Sequence, residues 1–320
     1  MVSIIVPCYN HEKYLQERLR SIFYQKFQDY EVILLDDAST DNSLNILKEY
    51  VKETQVRCLK VNKKNSGSPF KQWEEGIKLA NGDFIWIAES DDSCEPEFLN
   101  TLVPVLESDK SIGLAYCQSR SINEHSKLLN SWVEYTISLN PDKWKKDFKE
   151  KGLDFISKYM VIKNAIPNAS AVVWRRSVLV KEVFKQIRKY RLHGDRLFWS
   201  HLLLRSNVYF RSIVLNYFRI HPLTSRAKIA GWKAFEENLD FLLWAKKNGI
   251  VINDVPKLQD QLIVISSVLP QLKYPYILFR IMKKLKLLDL MKQGVLNSIK
   301  SKIKGPFNKS IVHLVSWSSN

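Results

Sequence analysis

Short apolar runs alternate with segments of helical periodicity along the first 110 residues, and this alternation constrains the fold more than any other feature. The runs VSIIVP, YEVILLDD, VRCLKVN and DFIWIAESDD have the length and the β-branched or aromatic content of strands. Between them, apolar residues recur every three or four positions, as at Leu15, Leu19 and Ile22. Strands that alternate with helices form a mostly parallel sheet with helices on its faces. We therefore predict an α/β fold.

The rest of the chain divides near residue 226. Between residues 111 and 226, strand-like runs such as IGLAYCQS and VYFRSIVLNYFRIH are mixed with helical ones such as HGDRLFWSHLLLR. From Ala227 onward the pattern is helical only, and Lys and Arg increase toward the end. We predict one domain over residues 1–226 and a basic helical C-terminal extension over 227–320.

Net charge and cysteine spacing indicate which kinds of partner and which cellular compartment fit this protein. The formal net charge is +16, which is typical of proteins with a polyanionic partner such as a phosphorylated substrate, an anionic membrane or nucleic acid. The four cysteines are far apart and form no CxxC pair, which indicates a reducing, cytoplasmic setting. The N-terminus lacks the pattern of a secretory signal, and the run QLIVISSVLPQL is too short to cross a bilayer of about 30 Å. We predict that the chain does not span a membrane.

Three of the predicted strands end in polar residues, and in open α/β sheets ligands bind at the carboxyl ends of the strands. These ends are PCYN, DDAST and ESDD. No glycine-rich turn follows the first strand, and no GxxxxGK[ST] phosphate loop occurs. Carboxylates after the fourth strand suit a divalent metal that also binds substrate phosphates.

Four segments, in this order and spacing, carry a resemblance to a known family: VSIIVPCYNHEKYLQERLRSI, EVILLDDASTDNS, NSGSPFKQWEEGI and GDFIWIAESDD. They resemble the family 2 inverting glycosyltransferases of the GT-A fold, over roughly residues 1–225. The resemblance implies a nucleotide-binding half over about 1–110 and an acceptor half over about 111–226.

The resemblance also implies roles for individual residues around the nucleotide. Asp37 would accept a hydrogen bond from the base, most simply uracil, and Asp91 would contact the ribose. Asp92 would bind the metal, either Mn²⁺ or Mg²⁺. The remaining nucleotide-site residues that it implies are Pro7 and Tyr9 under the base, with Asn10, Glu12, Asn65 and Gly67.

Both aspartate pairs could instead have a purely structural role, as helix caps. Asp36 and Asp37 could cap a following helix together with Ser39. Asp91 and Asp92 could cap the helix that SDDSCEPEFL introduces.

The segment HGDRLFW matches the family's catalytic-base position and makes Asp195 the implied general base. The alternative is an exposed carboxylate paired with Arg196 or Arg191. His221 in LNYFRIHPLTSR matches a late segment that reaches the diphosphate or its metal, although a lone histidine is more often structural.

Four further residues have weaker implied roles. Arg219 and Arg226 are candidates for neutralising phosphate, with a solvated surface as the alternative. Asn168 and Trp174 in IPNASAVVWRR are candidates for the acceptor side, with core packing as the alternative for the tryptophan.

The implied function is a metal-dependent, inverting transfer from a nucleotide sugar, most simply a UDP-sugar, to a hydroxyl of a glycan or lipid-linked acceptor in surface polysaccharide assembly. The QxxRW motif and spanning helices of processive synthases are missing from the sequence, which predicts one transfer per encounter. A nucleic-acid-binding protein and a non-catalytic, membrane-associated scaffold are the alternatives. Carboxylates at the strand ends would repel nucleic-acid phosphate, so no nucleic acid is expected.

The segment YILFRIMKKLKLLDLM in the C-terminal extension has its apolar residues on one helical face and its basic residues on the other. This pattern fits peripheral binding to an anionic membrane surface. Packing of the apolar face on the first domain is the alternative.

Overall fold

A computed structural model of the chain describes residues 1–221, 231–254 and 256–258, and it confirms the α/β fold. The chain forms two compact units, residues 1–229 and 230–320, a division close to the predicted boundary at residue 226. The strands are β1 Val2–Cys8, β2 Tyr30–Asp36, β3 Val56–Val61, β4 Phe84–Ile87, β5 Ser93–Cys94, β6 Ile112–Ile122, β7 Leu128–Ser131, β8 Phe148–Lys151, β9 Val172–Arg175 and β10 Asn207–Arg219. The α-helices are α1 Glu12–Phe23, α2 Ser43–Tyr50, α3 Pro69–Leu79, α4 Phe98–Ser108, α5 Val133–Thr136, α6 Gly152–Phe155, α7 Val183–Ile187, α8 Gly194–Leu203 and α9 Gly231–Lys247. Shorter helical turns lie at Lys143–Lys145, Ile156–Met160, Ala169–Ala171 and Arg176–Val178.

The strands of the first unit form one sheet in the order β3-β2-β1-β4-β9-β6-β10-β5, with β7 on β6 and β8 on β10. The β3-β2-β1-β4 part is parallel, and its register pairs Cys8 with Asp36 and Ile5 with Ile87. The carboxyl ends of β1, β2 and β4 therefore lie at one edge, where the polar segments that follow them meet.

Helices cover both faces of this parallel part. On one face, alternate β1 residues such as Ile4 and Val6 share a buried cluster with residues of α1, α2 and α4. On the other face α3 packs on β1, where a Cβ on Gly76 would come within 2.3 Å of Ile5 Cγ2. Trp73 on α3 is 2% exposed and lies in the core.

The second half of the sheet positions the late part of the chain next to the β4 end. Strand β9 runs antiparallel between β4 and β6, and β10 runs parallel to β6. The short strand β5 pairs antiparallel with β10, with Asn216 opposite Cys94 and Tyr217 opposite Ser93. Because β5 directly follows the ESDD segment, this pairing brings Arg219 and His221 to that segment.

In the second unit, α9 buries Phe241 and Trp244, whose ring centroids lie 5.4 Å apart. None of the helices within the described residues is long and apolar enough to cross a membrane. Arg226 and the basic segment after residue 270 lie outside the described residues.

Candidate active site

The loops after β1 and β2 are tied together at the sheet edge. Asn10 and Ala38 both adopt left-handed backbone conformations, with φ of 56° and 60°, which non-glycine residues rarely adopt and which concentrate at functional sites. The Asn10 side-chain oxygen accepts from Thr40 N at 2.7 Å, and Glu12 accepts from Asn42 N at 2.7 Å. Asn10 and Glu12, predicted in the nucleotide site, therefore hold the shape of this edge.

Two residues predicted to lie under the base have different exposures. Pro7 is buried within β1, where it pairs with Leu35. Tyr9 follows the strand and is 43% exposed. Only the tyrosine offers a ring surface on which a planar base could stack.

Asp37 organises the loop between β3 and α3. Its carboxylate accepts from Asn62 Nδ2 at 2.6 Å, from Gln72 Nε2 at 2.9 Å, and from the backbone N and hydroxyl of Ser66 at 2.9 and 2.8 Å. A carboxylate has about four lone-pair sites, so these donors nearly saturate it. A hydrogen bond from a nucleotide base would require one of them to give way.

Asn65 and Gly67 lie in the same loop. Asn65 donates to Asp37 O at 3.2 Å and accepts from Gly67 N at 2.7 Å. Gly67 has φ of 69°, and its carbonyl accepts from Arg191 Nη1. The loop therefore contacts the segment just before α8.

A carboxylate and two imidazoles converge beyond the end of β4. His221 Nε2 lies 3.1 Å from Asp91 Oδ2, and the Asp91 side chain is 18% exposed while that of His221 is buried. Ligand atoms of His11, Asp91 and His221 all lie within 4.8 Å of one another. Although burial acts to raise the pKa of Asp91, the nearby His11 and the hydrogen bond from His221 hold it below its ordinary value. An ionised carboxylate beside two imidazoles is a donor set that fits a divalent metal.

Asp92 is not a member of this cluster. It is 1% exposed, and its Oδ1 accepts from Arg219 N at 2.9 Å. Burial, and then the negative charge of Asp91, raise its pKa. The geometry thus favours Asp91 for the metal-binding role predicted for Asp92, because Asp92 is occupied in joining the ESDD segment to β10.

Arg219 is fully buried, and its guanidinium is bound by the protein itself. Nε donates to Asp91 O at 2.7 Å, Nη1 donates to Asn123 O and Ser126 Oγ at 2.9 Å, and Nη2 donates to Glu17 Oε2 at 2.7 Å. This arrangement supports a positioning role in place of the predicted phosphate contact, since four of the five N–H groups are committed.

Glu89 begins the acidic segment, and its surroundings raise its pKa. Trp73 Nε1 donates to Glu89 Oε1 at 2.8 Å. Burial, and then the charge of Asp91, raise the pKa of Glu89 to about 8. The core tryptophan therefore also orients a carboxyl group at the site, and Asp91 is the principal anion there.

Asp195 lies in the first turn of α8 and is 9% exposed. Its Oδ2 accepts from Asn164 Nδ2 at 2.8 Å, and its Oδ1 accepts from Arg196 N at 2.7 Å. The positive end of the helix dipole also favours a carboxylate here. Gly194 permits this start of the helix, because a Cβ there would come within 2.5 Å of the Phe70 ring. The buried position argues against the alternative of an exposed surface ion pair.

The two acceptor-side candidates differ. Trp174 is fully buried in β9 and packs edge-on against Phe198 at 5.4 Å, which supports the core-packing alternative. Asn168 is 4% exposed, and its oxygen accepts from Ser170 N at 2.9 Å. Its buried amide nitrogen has no hydrogen-bond partner among the described residues.

The helix-capping interpretations of the aspartate pairs are wrong. The helix after Asp36 and Asp37 begins at Ser43, with Asn42 at its N-cap. The helix after Asp91 and Asp92 begins at Phe98, with Glu97 at its N-cap.

Several residues of this site were not predicted from the sequence. His11 follows directly after the PCYN motif, and this position is the only signal that marked it. Glu17, Asn164 and Arg18 carried no signal, because their contacts join segments that are distant along the chain. Arg18 is fully buried, with its guanidinium 4.9 Å from the centre of the Trp86 ring.

Comparison with known proteins matches the first half of the chain to one family. The model described as "Glycosyl transferase family 2" matches residues 3–164. Over 150 residues the chain is 31% identical to the poly(ribitol-phosphate) beta-N-acetylglucosaminyltransferase TarS of Staphylococcus aureus, an alignment that covers 42% of this chain and 26% of TarS. The match thus spans about a quarter of the length of that relative.

Solved structures extend the likeness to the fold. The structure of S. aureus TarS 1–349 in complex with UDP-GlcNAc matches with a TM-score of 0.61 and 18% identity, over 96% of this chain and 77% of that one. The mannosyltransferase PcManGT from Pyrobaculum calidifontis, in complex with GDP-Man and Mn²⁺, matches with a TM-score of 0.54 and 14% identity, over 100% of this chain and 80% of that one. The family model covers just over half of the chain, and we conclude that the chain belongs to glycosyl transferase family 2.

Proposed function

We propose that this chain is a metal-dependent, inverting glycosyltransferase that moves one sugar per encounter from a UDP-sugar to a hydroxyl group of a glycan or lipid-linked acceptor. The observation that carries the proposal is the pair of carboxylates in distinct environments. Asp91 lies beside His221 at the end of β4, and Asp195 is buried at the start of α8. The first suits a metal and a diphosphate, and the second suits a general base.

Two observations indicate the donor: the exposed ring at the sheet edge and the ligand bound to the relative TarS. Tyr9 offers an exposed ring beside the loop that Asp37 holds, which fits a nucleotide base. TarS, whose fold this chain shares, is known with UDP-GlcNAc bound. We assign a UDP-sugar as the donor on these grounds.

The residues present fit a divalent metal, with Asp91 and His221 as its protein ligands. Carboxylate oxygen and imidazole nitrogen are ordinary donors for Mn²⁺, the ion bound in PcManGT. When bound, such an ion neutralises the charge of the departing diphosphate. Arg219 and Asp92 keep the Asp91 segment against β10, so the ligand oxygen is held in place before substrate arrives.

Asp195 would accept the proton of the acceptor hydroxyl as this oxygen attacks the anomeric carbon. Its two oxygens are oriented by Asn164 and by the backbone of Arg196. A general base of this kind contributes about 10²–10⁴ in rate. Attack on the face opposite the leaving diphosphate inverts the anomeric centre, so an α-linked donor gives a β-linked product.

The net charge of the chain and the name of the relative TarS both indicate the class of acceptor. The chain carries a formal net charge of +16, which favours an anionic acceptor or an acceptor held at an anionic membrane surface. The name of TarS specifies a poly(ribitol-phosphate) acceptor. We propose an acceptor of surface-glycan type.

The test is a screen of nucleotide sugars, with and without Mn²⁺, by thermal shift and by UDP release. We expect one UDP-sugar to raise the melting temperature more strongly with Mn²⁺, since a ligand that binds only the native state stabilises it. The variant Asp195→Asn should retain this shift and lose about 10² or more in turnover. NMR of the product should show the inverted anomer. A retained anomeric configuration, or undiminished turnover in Asp195→Asn, would contradict the proposed mechanism.

A further inference from the structure

His11 lies beside Asp91 and His221, although no role was predicted for it from the sequence. It precedes the first turn of α1, and its ring stands nearly perpendicular to that of His221, at 85°, with the ring centroids 5.6 Å apart. Its Nδ1 is 2.8 Å from the hydroxyl of Ser90. With Nδ1 as the donor to Ser90, Nε2 would carry the lone pair, and metal-binding histidines are typically held by a hydrogen bond from their other ring nitrogen.

The spacing of the three residues fits a single ion. Metal–ligand bonds of about 2.1 Å put neighbouring ligand atoms of an octahedron about 3 Å apart and opposite ones about 4.2 Å apart. The Asp91 oxygen and the His221 nitrogen are 3.1 Å apart, as neighbouring ligands would be. All three ligand atoms lie within 4.8 Å of one another, so a shift of a few tenths of an ångström would bring them onto one ion.

We propose that His11 is a third protein ligand, and that the resulting set of two imidazoles and one carboxylate makes this enzyme select a transition metal ion over Mg²⁺. This inference rests on the proposed function, which takes Asp91 and His221 as metal ligands. Mg²⁺ favours oxygen ligands and keeps several waters, whereas imidazole favours first-row transition ions. A second imidazole therefore strengthens binding of Mn²⁺ and Co²⁺ more than that of Mg²⁺.

The test measures metal binding to the full chain with UDP and without any acceptor, so that turnover plays no part. Free Mn²⁺ is followed by electron paramagnetic resonance during titration, and Mg²⁺ is then added as a competitor. We expect His11→Gln to weaken Mn²⁺ binding by about tenfold or more and Mg²⁺ binding by less than about threefold, since Mg²⁺ depends least on an imidazole ligand. Pulsed measurements on bound Mn²⁺ should detect two imidazole nitrogens in the wild type and one in His11→Gln.

The substitution is suited to the test, because the contact of His11 with Ser43 uses the backbone N–H, which any residue keeps. His125→Gln is the matched control, since His125 is 73% exposed and lies outside the cluster. It should leave both affinities unchanged.

The outcomes separate this inference from the proposed function. One imidazole nitrogen in the wild type, or an unchanged preference for Mn²⁺ over Mg²⁺ in His11→Gln, would overturn the role of His11 and leave Asp91 and His221 as ligands. If the wild type bound no Mn²⁺ in the presence of UDP, both the metal site and the role of His11 would be refuted.

Discussion

Replacing Arg219 with methionine would test whether this buried guanidinium holds the metal-binding segment in place. The side chain is fully buried and joins Asp91 O, Asn123 O, Ser126 Oγ and Glu17 through four donors. Its guanidinium carbon lies 4.9 Å from the centre of the Tyr14 ring. Methionine fills most of the volume and keeps none of these donors. The substitution therefore removes hydrogen bonds and leaves little empty volume.

The expected magnitude follows from the exposure of each partner. Glu17 is 41% exposed, so water replaces much of its lost contact, which contributes about 1 kcal/mol or less. The carbonyls of Asp91 and Asn123 lose a charged donor, and bonds of this kind contribute about 1.5–3 kcal/mol each without being additive. We expect the free energy of unfolding to fall by about 3–4 kcal/mol, close to the effect of breaking a buried ion pair.

Urea denaturation of the wild type and Arg219→Met measures this change, and calorimetry with UDP and Mn²⁺ measures the effect on the site. We expect UDP affinity with Mn²⁺ to fall by about tenfold or more, because the Asp91 backbone loses its anchor and must be ordered on binding. Arg219→Lys should recover part of both losses through its single ammonium group. Arg211→Met is the matched control on the same strand, since Arg211 is 43% exposed and its substitution should cost less than about 1 kcal/mol. A loss below about 1 kcal/mol in Arg219→Met, with unchanged UDP affinity, would refute the positioning role.

Three further predictions concern the acidic segment and the C-terminal region. Asp91→Asn should abolish the Mn²⁺ dependence of UDP binding in calorimetry, whereas Asp92→Asn should mainly lower stability; the opposite result would restore Asp92 as the metal ligand. Because burial raises the pKa of Glu89 from 4.5 to about 8, the native state holds this proton longer than the unfolded state, and wild-type stability should fall as pH rises from 4.5 to 8. This fall should amount to roughly 4 kcal/mol over the window in urea titrations with EDTA. Glu89→Gln, which keeps an oxygen for Trp73, should lack it. An equal pH dependence in both proteins would show that Glu89 is ionised. Removing residues 271–320 should leave UDP binding intact and reduce salt-sensitive sedimentation with anionic liposomes, and equal sedimentation or loss of the fold would favour packing over membrane binding.

The sequence by itself determined the order of the strands and helices in the first half of the chain. Strand and helix formation there depend on local periodicity, which the runs around Ile4, Val32 and Ile85 display clearly. The polar strand ends were visible for the same reason, since carboxyl ends of parallel strands share one edge.

Only the tertiary structure decided which side chains share the site. The pairing of β5 with β10 brings His221 to Asp91 across 130 positions of sequence, and no local pattern specifies that pairing. The same contact occupies Asp92 and Arg219 with each other, whereas the resemblance assigned them to metal and phosphate. His11 joins the cluster because the end of β1 lies next to that of β4. Chemistry at such a site depends on distances between segments far apart in the chain, and these are set by packing rather than by local sequence.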